Sequence, residues 1–290
     1  MVKFIAEVSS NHGRDLQRSL DFIRSAAQAG CSAVKFQLFK IDALFAPHTL
    51  PEAERERRRH WELPLSFLPQ LAACCKAENI EFACTPFYLE AVEELAPYVD
   101  FYKVASYELL WHDLLAACAR TGKPVMLSTG MATLDEVQEA VQVLRRHGCQ
   151  QPQLLHCTSA YPTPANEANL AAIASLREAT GCEVGWSDHT VEPGVVYRAV
   201  FRWGASAVEF HYDLDGQGEE FAGGHCWLPA PIGEVIRHVG LGLQADGDGV
   251  KAPVASELHD RAWRADPADG LRPLKAMRQQ LQAGACAVTR

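Results

Sequence analysis

The chain has 290 residues, 48% of them hydrophobic and 22% charged, a size and balance that fit one large globular domain better than two ordinary ones. Lys and Arg total 27 against 36 Asp and Glu, a formal charge of -9, and the one basic run is Arg55 to Arg59, which argues against a nucleic acid partner. The opening segment carries Glu7 where a signal peptide needs an apolar core, and no stretch is long enough to span a bilayer, so a cytoplasmic protein without a membrane partner is expected.

Eight β-rich runs are predicted in chain order: 4–8, 33–37, 81–85, 101–106, 124–129, 153–158, 183–187 and 207–212, each bounded by turn or capping residues. Helical patterns fill the gaps. Asp15 to Ala29 carries Leu16, Leu20, Ile23 and Ala27 on one face and stops at Gly30, and Thr133 with Glu136 forms a capping box for a helix that stops near Gly148. This alternation predicts an α/β fold, a single (β/α)8 TIM barrel over residues 1–245. The alternative, a doubly wound open sheet, lacks a Gly-rich dinucleotide loop after its first strand. Lys40 to Pro64 is too long and too charged for an ordinary connection and is read as a lid or partner surface. After Val239 the pattern decays, and 246–290 is a short tail with one helix near Leu274 to Leu281, not an independent domain. The ten cysteines form no CxxC motif and read as reduced packing residues.

Side chains alternate along a strand, so the apolar parity marks the helix side and the other parity faces the barrel interior. Phe4, Ala6 and Val8 turn Glu7 inward; Val34, Phe36 and Leu38 do the same for Lys35 and Gln37. Lys103 follows in the fourth strand, Ser187 and His189 in the seventh, and Glu209 and His211 in the eighth. Most of these lie near C-terminal strand ends, where barrel enzymes place their chemistry. Structural ion pairing is the alternative for Glu7, Lys35, Lys103 and Glu209 taken singly; together they favour a site. His189 and His211 end adjacent strands roughly 4.8 Å apart, close enough to share one metal ion. His156 reads as structural, and His12 as either an anchor of its own turn or a ligand contact. The two lysines with Ser106, Ser128 and Ser187 and the Ser128-Thr129-Gly130 turn supply charge, hydroxyls and backbone N–H groups for a phosphate.

These residues sit in segments that resemble the sialic acid synthases of the N-acetylneuraminate synthase type: IAEVSSNHG, AVKFQ, CTPF, YKVASYEL, LSTGMAT, LLHCTSAYPTP, GWSDHT and VEFHYDLD, in order over Ile5 to Asp215. The resemblance implies a transferase that condenses phosphoenolpyruvate with a sugar aldehyde. It implies a divalent metal, Mn²⁺ first and Mg²⁺ second, on His189 and His211, and phosphoenolpyruvate on Lys35, Lys103, Ser106, Ser128 and Ser187. Glu7, Gln37, Glu108 and Tyr161 fall where the family contacts the acceptor or assists the chemistry. Ser159 stands where family members usually have Asn. The family's GPD segment is replaced by a loop in which Glu219, Glu220 and His225 are the expected acceptor contacts. The family's C-terminal antifreeze-like domain, which carries an arginine into a partner's site, is not expected in 246–290, and a homodimer is left open. Two other readings remain: a Schiff-base aldolase using Lys103, and a non-catalytic sugar-phosphate binder.

Overall fold

The computed structural model describes residues 2–288. The eight predicted runs form strands β1 (Lys3–Glu7), β2 (Ala33–Leu38), β3 (Glu81–Pro86), β4 (Phe101–Val104), β5 (Val125–Ser128), β6 (Gln153–Cys157), β7 (Val184–Asp188) and β8 (Ala207–Tyr212). They are parallel in chain order, and β1 pairs with β8 with Glu7 opposite His211, which closes the predicted (β/α)8 barrel. A ninth strand, β9 (Cys226–Trp227), adds to β8 in parallel. Two residues carry no readable period, so this strand was not predicted.

The two parities separate two layers. Phe4, Ala6, Val8, Val34, Phe36, Leu38, Trp186, Phe210 and Tyr212 pack in the layer between sheet and helices, as expected. Inside the barrel, Ile5, Ala33, Ala83, Phe101, Met126, Leu155 and Ala207 form a separate apolar floor. Full burial of a side chain such as Phe101 or Met126 contributes about 1.5–3 kcal/mol, so the lower barrel is a packed core and not a channel. Two residues further along several of these strands the same parity becomes polar: Glu7 above Ile5, Lys35 above Ala33, Lys103 above Phe101, Ser128 above Met126 and Glu209 above Ala207.

The helix Leu16–Gln28 begins where the Asp15 carboxylate accepts from the Arg18 N–H at 3.0 Å, and Leu134–Arg146 begins with the Thr133–Glu136 capping box. The long connection after β2 folds into two short helices, Ile41–Leu44 and Glu52–Arg59. In the second, acids occupy the first turn and arginines the last, complementing the helix dipole, and Arg57 and Arg58 both reach Glu54. The helix Pro229–Ala245 continues six residues past Val239, where the sequence pattern decays. Gly240 and Gly242 cost about 1 kcal/mol each there without forbidding helix.

Contacts divide the chain into Met1–Gly242 and Leu243–Arg290. In the second unit the Asp266 carboxylate accepts from the backbone of Ala268 and Lys275, and Lys275 opens the helix Lys275–Val288. No described helix is long and apolar enough to cross a membrane.

Candidate active site

The polar layer above the floor is an ion quartet. Lys35 Nζ lies 2.9 Å from Glu7 Oε2 and 3.2 Å from Glu209 Oε2, and Lys103 Nζ lies 3.4 Å from Glu209 Oε1. None of the four is more than 4% exposed. Gln37 Nε2 donates to Glu7, and Ser187 Oγ donates to Glu209 at 3.2 Å. Burial by itself would raise the Glu7 pKa, but Lys35, His211 and Lys103 together pull it down to about 2, so this carboxylate stays ionised. Burial also works against charge on Lys35, yet Glu209 and Glu7 raise its pKa. Lys103, buried and facing Lys35, is shifted down.

Ser106, Ser128, Cys157 and Ser187 line the wall on the β4–β7 side. Ser106 Oγ accepts from the Gly130 N–H at 3.0 Å and lies 3.1 Å from Cys157 Sγ. Ser128 Oγ, Ser159 Oγ and Thr85 Oγ1 are buried with no hydrogen-bond partner. Such groups are rare in packed interiors, and Ser128 Oγ, the one of the three that lines the cavity, is open to a ligand. Gly130 lets the backbone approach this wall: a Cβ there would run into Ser159 Oγ and lie 2.7 Å from Cys157 Sγ and 2.9 Å from Ser106 Oγ.

Imidazoles gather on the opposite side. The His189 and His211 rings are 5.4 Å apart, and Tyr161 packs 4.2 Å from His189. His189 Nδ1 is 2.8 Å from the Thr158 carbonyl, which fixes the ring and turns Nε2 to other partners. Burial and the neighbouring His211 push the His189 pKa down to about 3, which keeps this imidazole neutral and able to ligate. His211 Nδ1 is 2.6 Å from Glu220 Oε2, and its Nε2 is 3.5 Å from Glu7 Oε2. The loop after β8 is pinned by Arg18, which reaches Asp213 at 3.1 Å and Asp215 at 2.7 Å, and by the Gly218 N–H donating to Asp213. That anchorage brings Glu220 against His211. Among the described residues, His211, Glu220, His225 and Cys226 present ligand atoms within 4.8 Å of one another. Burial works against charge on His211, but Glu7 and Glu220 raise its pKa, so of the two rings it is His189 that is held neutral; two imidazoles beside carboxylates still suit a divalent cation that displaces the His211 proton.

These groups surround one cavity of about 650 Å³ at the C-terminal mouth. Of the residues expected at the site, Glu7, Lys35, Gln37, Lys103, Ser106, Ser128, Tyr161, Ser187, His189, His211, Glu219, Glu220 and His225 line it. Glu108 and Ser159 do not. The Glu108 carboxyl is buried with one oxygen unpartnered, and burial raises its pKa to about 7 against the pull of Lys103. Glu219 stands at the rim, largely exposed and 3.6 Å from Arg57. His156 points away from the cavity, its Nε2 3.0 Å from the Ala168 carbonyl and its ring against Trp186. His12 anchors its own turn by accepting the Arg14 N–H at 2.9 Å.

Several lining residues were not singled out from sequence. Cys157 continues the inward parity of β6, a signal the packing interpretation of cysteines obscured. Phe39, Ile41, Leu44, Phe45, Arg58 and Trp61 come from the segment 40–64 and the residue before it, and they form an apolar wall with one guanidinium lying 5.3 Å from both the Phe45 and Trp61 rings.

A closed parallel barrel whose ammonium groups, hydroxyls and imidazoles converge on one cavity at its C-terminal mouth has the architecture of a (β/α)8-barrel enzyme. A model described as the NeuB family matches residues 22–251. The chain is similar to an N,N'-diacetyllegionaminic acid synthase of Campylobacter jejuni, 35% identical over 267 residues that span 87% of this chain and 80% of that protein. It is similar to a pseudaminic acid synthase of Helicobacter pylori, 32% identical over 225 residues, 73% of this chain and 66% of that one. The structure of an N-acetylneuraminic acid synthetase from Leptospira borgpetersenii matches with a TM-score of 0.79 at 30% identity, covering 89% of this chain and 90% of that one. The chain belongs to the NeuB family and is an enzyme of the sialic acid synthase type.

Proposed function

We propose that this enzyme condenses phosphoenolpyruvate with an aldose resembling an amino sugar, giving a 2-keto-3-deoxy sugar acid and inorganic phosphate. The observation that carries the reading is the quartet Glu7–Lys35–Glu209–Lys103 converging on one cavity with the hydroxyls of Ser106, Ser128 and Ser187. The quartet is neutral as a whole, so it presents two ammonium groups without the cost of unpaired buried charge. An incoming phosphate or carboxylate takes hydrogen bonds from Lys35, Lys103 and the hydroxyls of Ser106, Ser128 and Ser187.

The acceptor lies above, between Gln37, Tyr161 and the apolar wall of Phe45 and Trp61. The enol carbon of phosphoenolpyruvate forms the new bond to the aldehyde carbon, whose oxygen takes up a proton. Glu7, ionised and held by Lys35 and Gln37, orients a water toward the electron-poor carbon left behind and accepts its proton. Collapse of that adduct to the ketone breaks the carbon–oxygen bond and releases phosphate. The imidazoles of His189 and His211 would hold a divalent cation, Mn²⁺ or Mg²⁺ by resemblance, which polarises the aldehyde oxygen when bound.

The test is phosphate release by the purified protein given phosphoenolpyruvate, Mn²⁺ and a panel of N-acyl hexosamines and other aldoses. Release that depends on one aldose supports the reading; none with any aldose and any divalent cation overturns it. The depressed pKa of buried Lys103 favours a second reading, a Schiff-base aldolase. Borohydride trapping with a keto acid separates the two, since the aldolase alone becomes covalently labelled.

A further inference from the structure

The loop after β8 does more than edge the cavity. We propose that Glu220 is a positioning residue for the divalent cation: its carboxylate accepts from His211 Nδ1 and so turns Nε2 of that ring, together with Nε2 of His189, toward the ion, without itself entering the coordination shell. This rests on the function proposed above and names the loop residue on which the affinity for its cation depends.

The backbone sets Glu220 between two strand ends. It lies in the short helix Glu219–Ala222, on the loop that Arg18 holds through Asp213 and Asp215. Its Oε1 accepts from the Ser10 hydroxyl at 3.0 Å and from the Ser10 backbone N–H at 3.4 Å. Ser10 is itself fixed in the turn after β1, where its carbonyl accepts from the Gly13 N–H at 3.1 Å. With Oε1 tied to the β1 turn, Oε2 is left 2.6 Å from His211 Nδ1 at the end of β8. The Glu220 side chain is only 17% exposed, so little water competes for this charge-assisted bond.

The two imidazoles are held alike. His189 Nδ1 lies 2.8 Å from the Thr158 carbonyl, as His211 Nδ1 lies against Glu220. A carbonyl and an ionised carboxylate can only accept, so each Nδ1 carries a proton and each ring keeps Nε2 for another partner. The rings are 5.4 Å apart, and His211 Nε2 faces the cavity residue Glu7 at 3.5 Å. A cation there takes one donor from β7 and one from β8 and keeps its other positions open for reactants. Glu220 stands on the far side of the ring from that ion. Its distance from His211 Nδ1 is that of a hydrogen bond, whereas two donors on one octahedral ion stand about 3 Å apart at metal–ligand lengths of about 2.1 Å.

The experiment strips the full chain of metal and titrates wild type, Glu220→Ala and Glu220→Gln with Mn²⁺, following the free ion by electron paramagnetic resonance. Glu220→Ala should bind Mn²⁺ about 10–100-fold more weakly, the usual effect of losing an outer partner of a ligating histidine. Glu220→Gln keeps an acceptor oxygen for the Nδ1 proton and should recover most of that loss. Equal affinity in wild type and Glu220→Ala overturns the proposal, as does a wild type that binds no Mn²⁺. Affinity in Glu220→Gln as low as in Glu220→Ala also overturns it, because the carboxylate would then be a ligand. Where melting of the metal-free proteins shows that a variant fails to fold, nitrogen NMR of the Zn²⁺-loaded wild type decides: His211 should show a protonated Nδ1 and a coordinated Nε2, and the reverse overturns the assignment. Phosphate release with an affinity indifferent to Glu220 leaves the proposed function standing and removes this role; the expected affinities without phosphate release do the opposite.

Discussion

The Lys35 ammonium lies 2.9 Å from the Glu7 carboxylate, both nearly sealed from solvent, at the point where the barrel's packed floor gives way to the cavity. Removing one partner strands a buried charge. Lys35→Ala should therefore lower stability by roughly 3–5 kcal/mol and abolish measurable phosphoenolpyruvate binding. Lys35→Met combined with Glu7→Leu should recover most of the stability but none of the binding, because a hydrophobic pair replaces the ions without replacing the cation. Denaturant unfolding and calorimetry read the two effects separately, and unchanged phosphoenolpyruvate affinity in Lys35→Ala would return the lysine to a structural role.

Glu108 predicts a pH dependence of stability. Burial raises its folded pKa to about 7 from an ordinary 4.5, so the folded state holds a proton that the unfolded chain gives up earlier. The stabilisation linked to this proton is fully present below pH 4.5 and is lost as pH rises through about 7. Glu108→Gln keeps the neutral form at every pH. Thermal melting between pH 4.5 and 8 should show a decline in the wild type that is shallower in this variant, and parallel curves would show that the carboxyl is not buried neutral.

Gly130→Ala places a methyl group among Ser106, Cys157 and Ser159. Relief requires the hydroxyl wall to shift, so phosphoenolpyruvate affinity should drop about tenfold or more, while overpacking costs stability by about 1–3 kcal/mol. Full affinity in a folded variant would mean that this wall does not contact the substrate.

Trp61→Ala tests the segment 40–64 as a lid. Trp61 lines the mouth on the side of the segment 40–64 and packs against the Arg58 guanidinium. The expected result is a several-fold rise in KM for the aldose with KM for phosphoenolpyruvate unchanged. A parallel rise in both would mean that the segment only stabilises the barrel.

Trp227→Phe removes the indole N–H from Asp188 Oδ2. Losing a hydrogen bond to a buried charged group costs about 1.5–3 kcal/mol, and β9 loses its outer anchor. The melting temperature should fall with it, whereas Asp188→Asn, which turns one of two accepting oxygens into an NH2 facing N–H donors, should lower it further. An unchanged melting temperature in Trp227→Phe would count against anchorage through this bond.

Much of the barrel was legible in the chain itself, because strand parity is a local property. Alternation of Phe4, Ala6 and Val8 around Glu7, or of Val208, Phe210 and Tyr212 around Glu209 and His211, specifies which side chains enter the barrel before any partner strand is known. The same periodicity placed Lys35, Lys103 and Ser187 at the mouth. What periodicity does not carry is distance between elements. That Lys35 and Lys103 share Glu209, that Glu108 stops short of the cavity surface, and that Arg58 and Trp61 reach the mouth from a connection with no period are consequences of how the loops fold over the strand ends. The loop after β8 shows the contrast most sharply: its sequence announced two carboxylates and a histidine at the catalytic face. Only the two-residue strand β9, too short to leave a periodic trace, decided that Cys226 stands beside His211 while Glu219 turns to solvent, since strand pairing and the Trp227–Asp188 bond act across residues 39 apart in the chain.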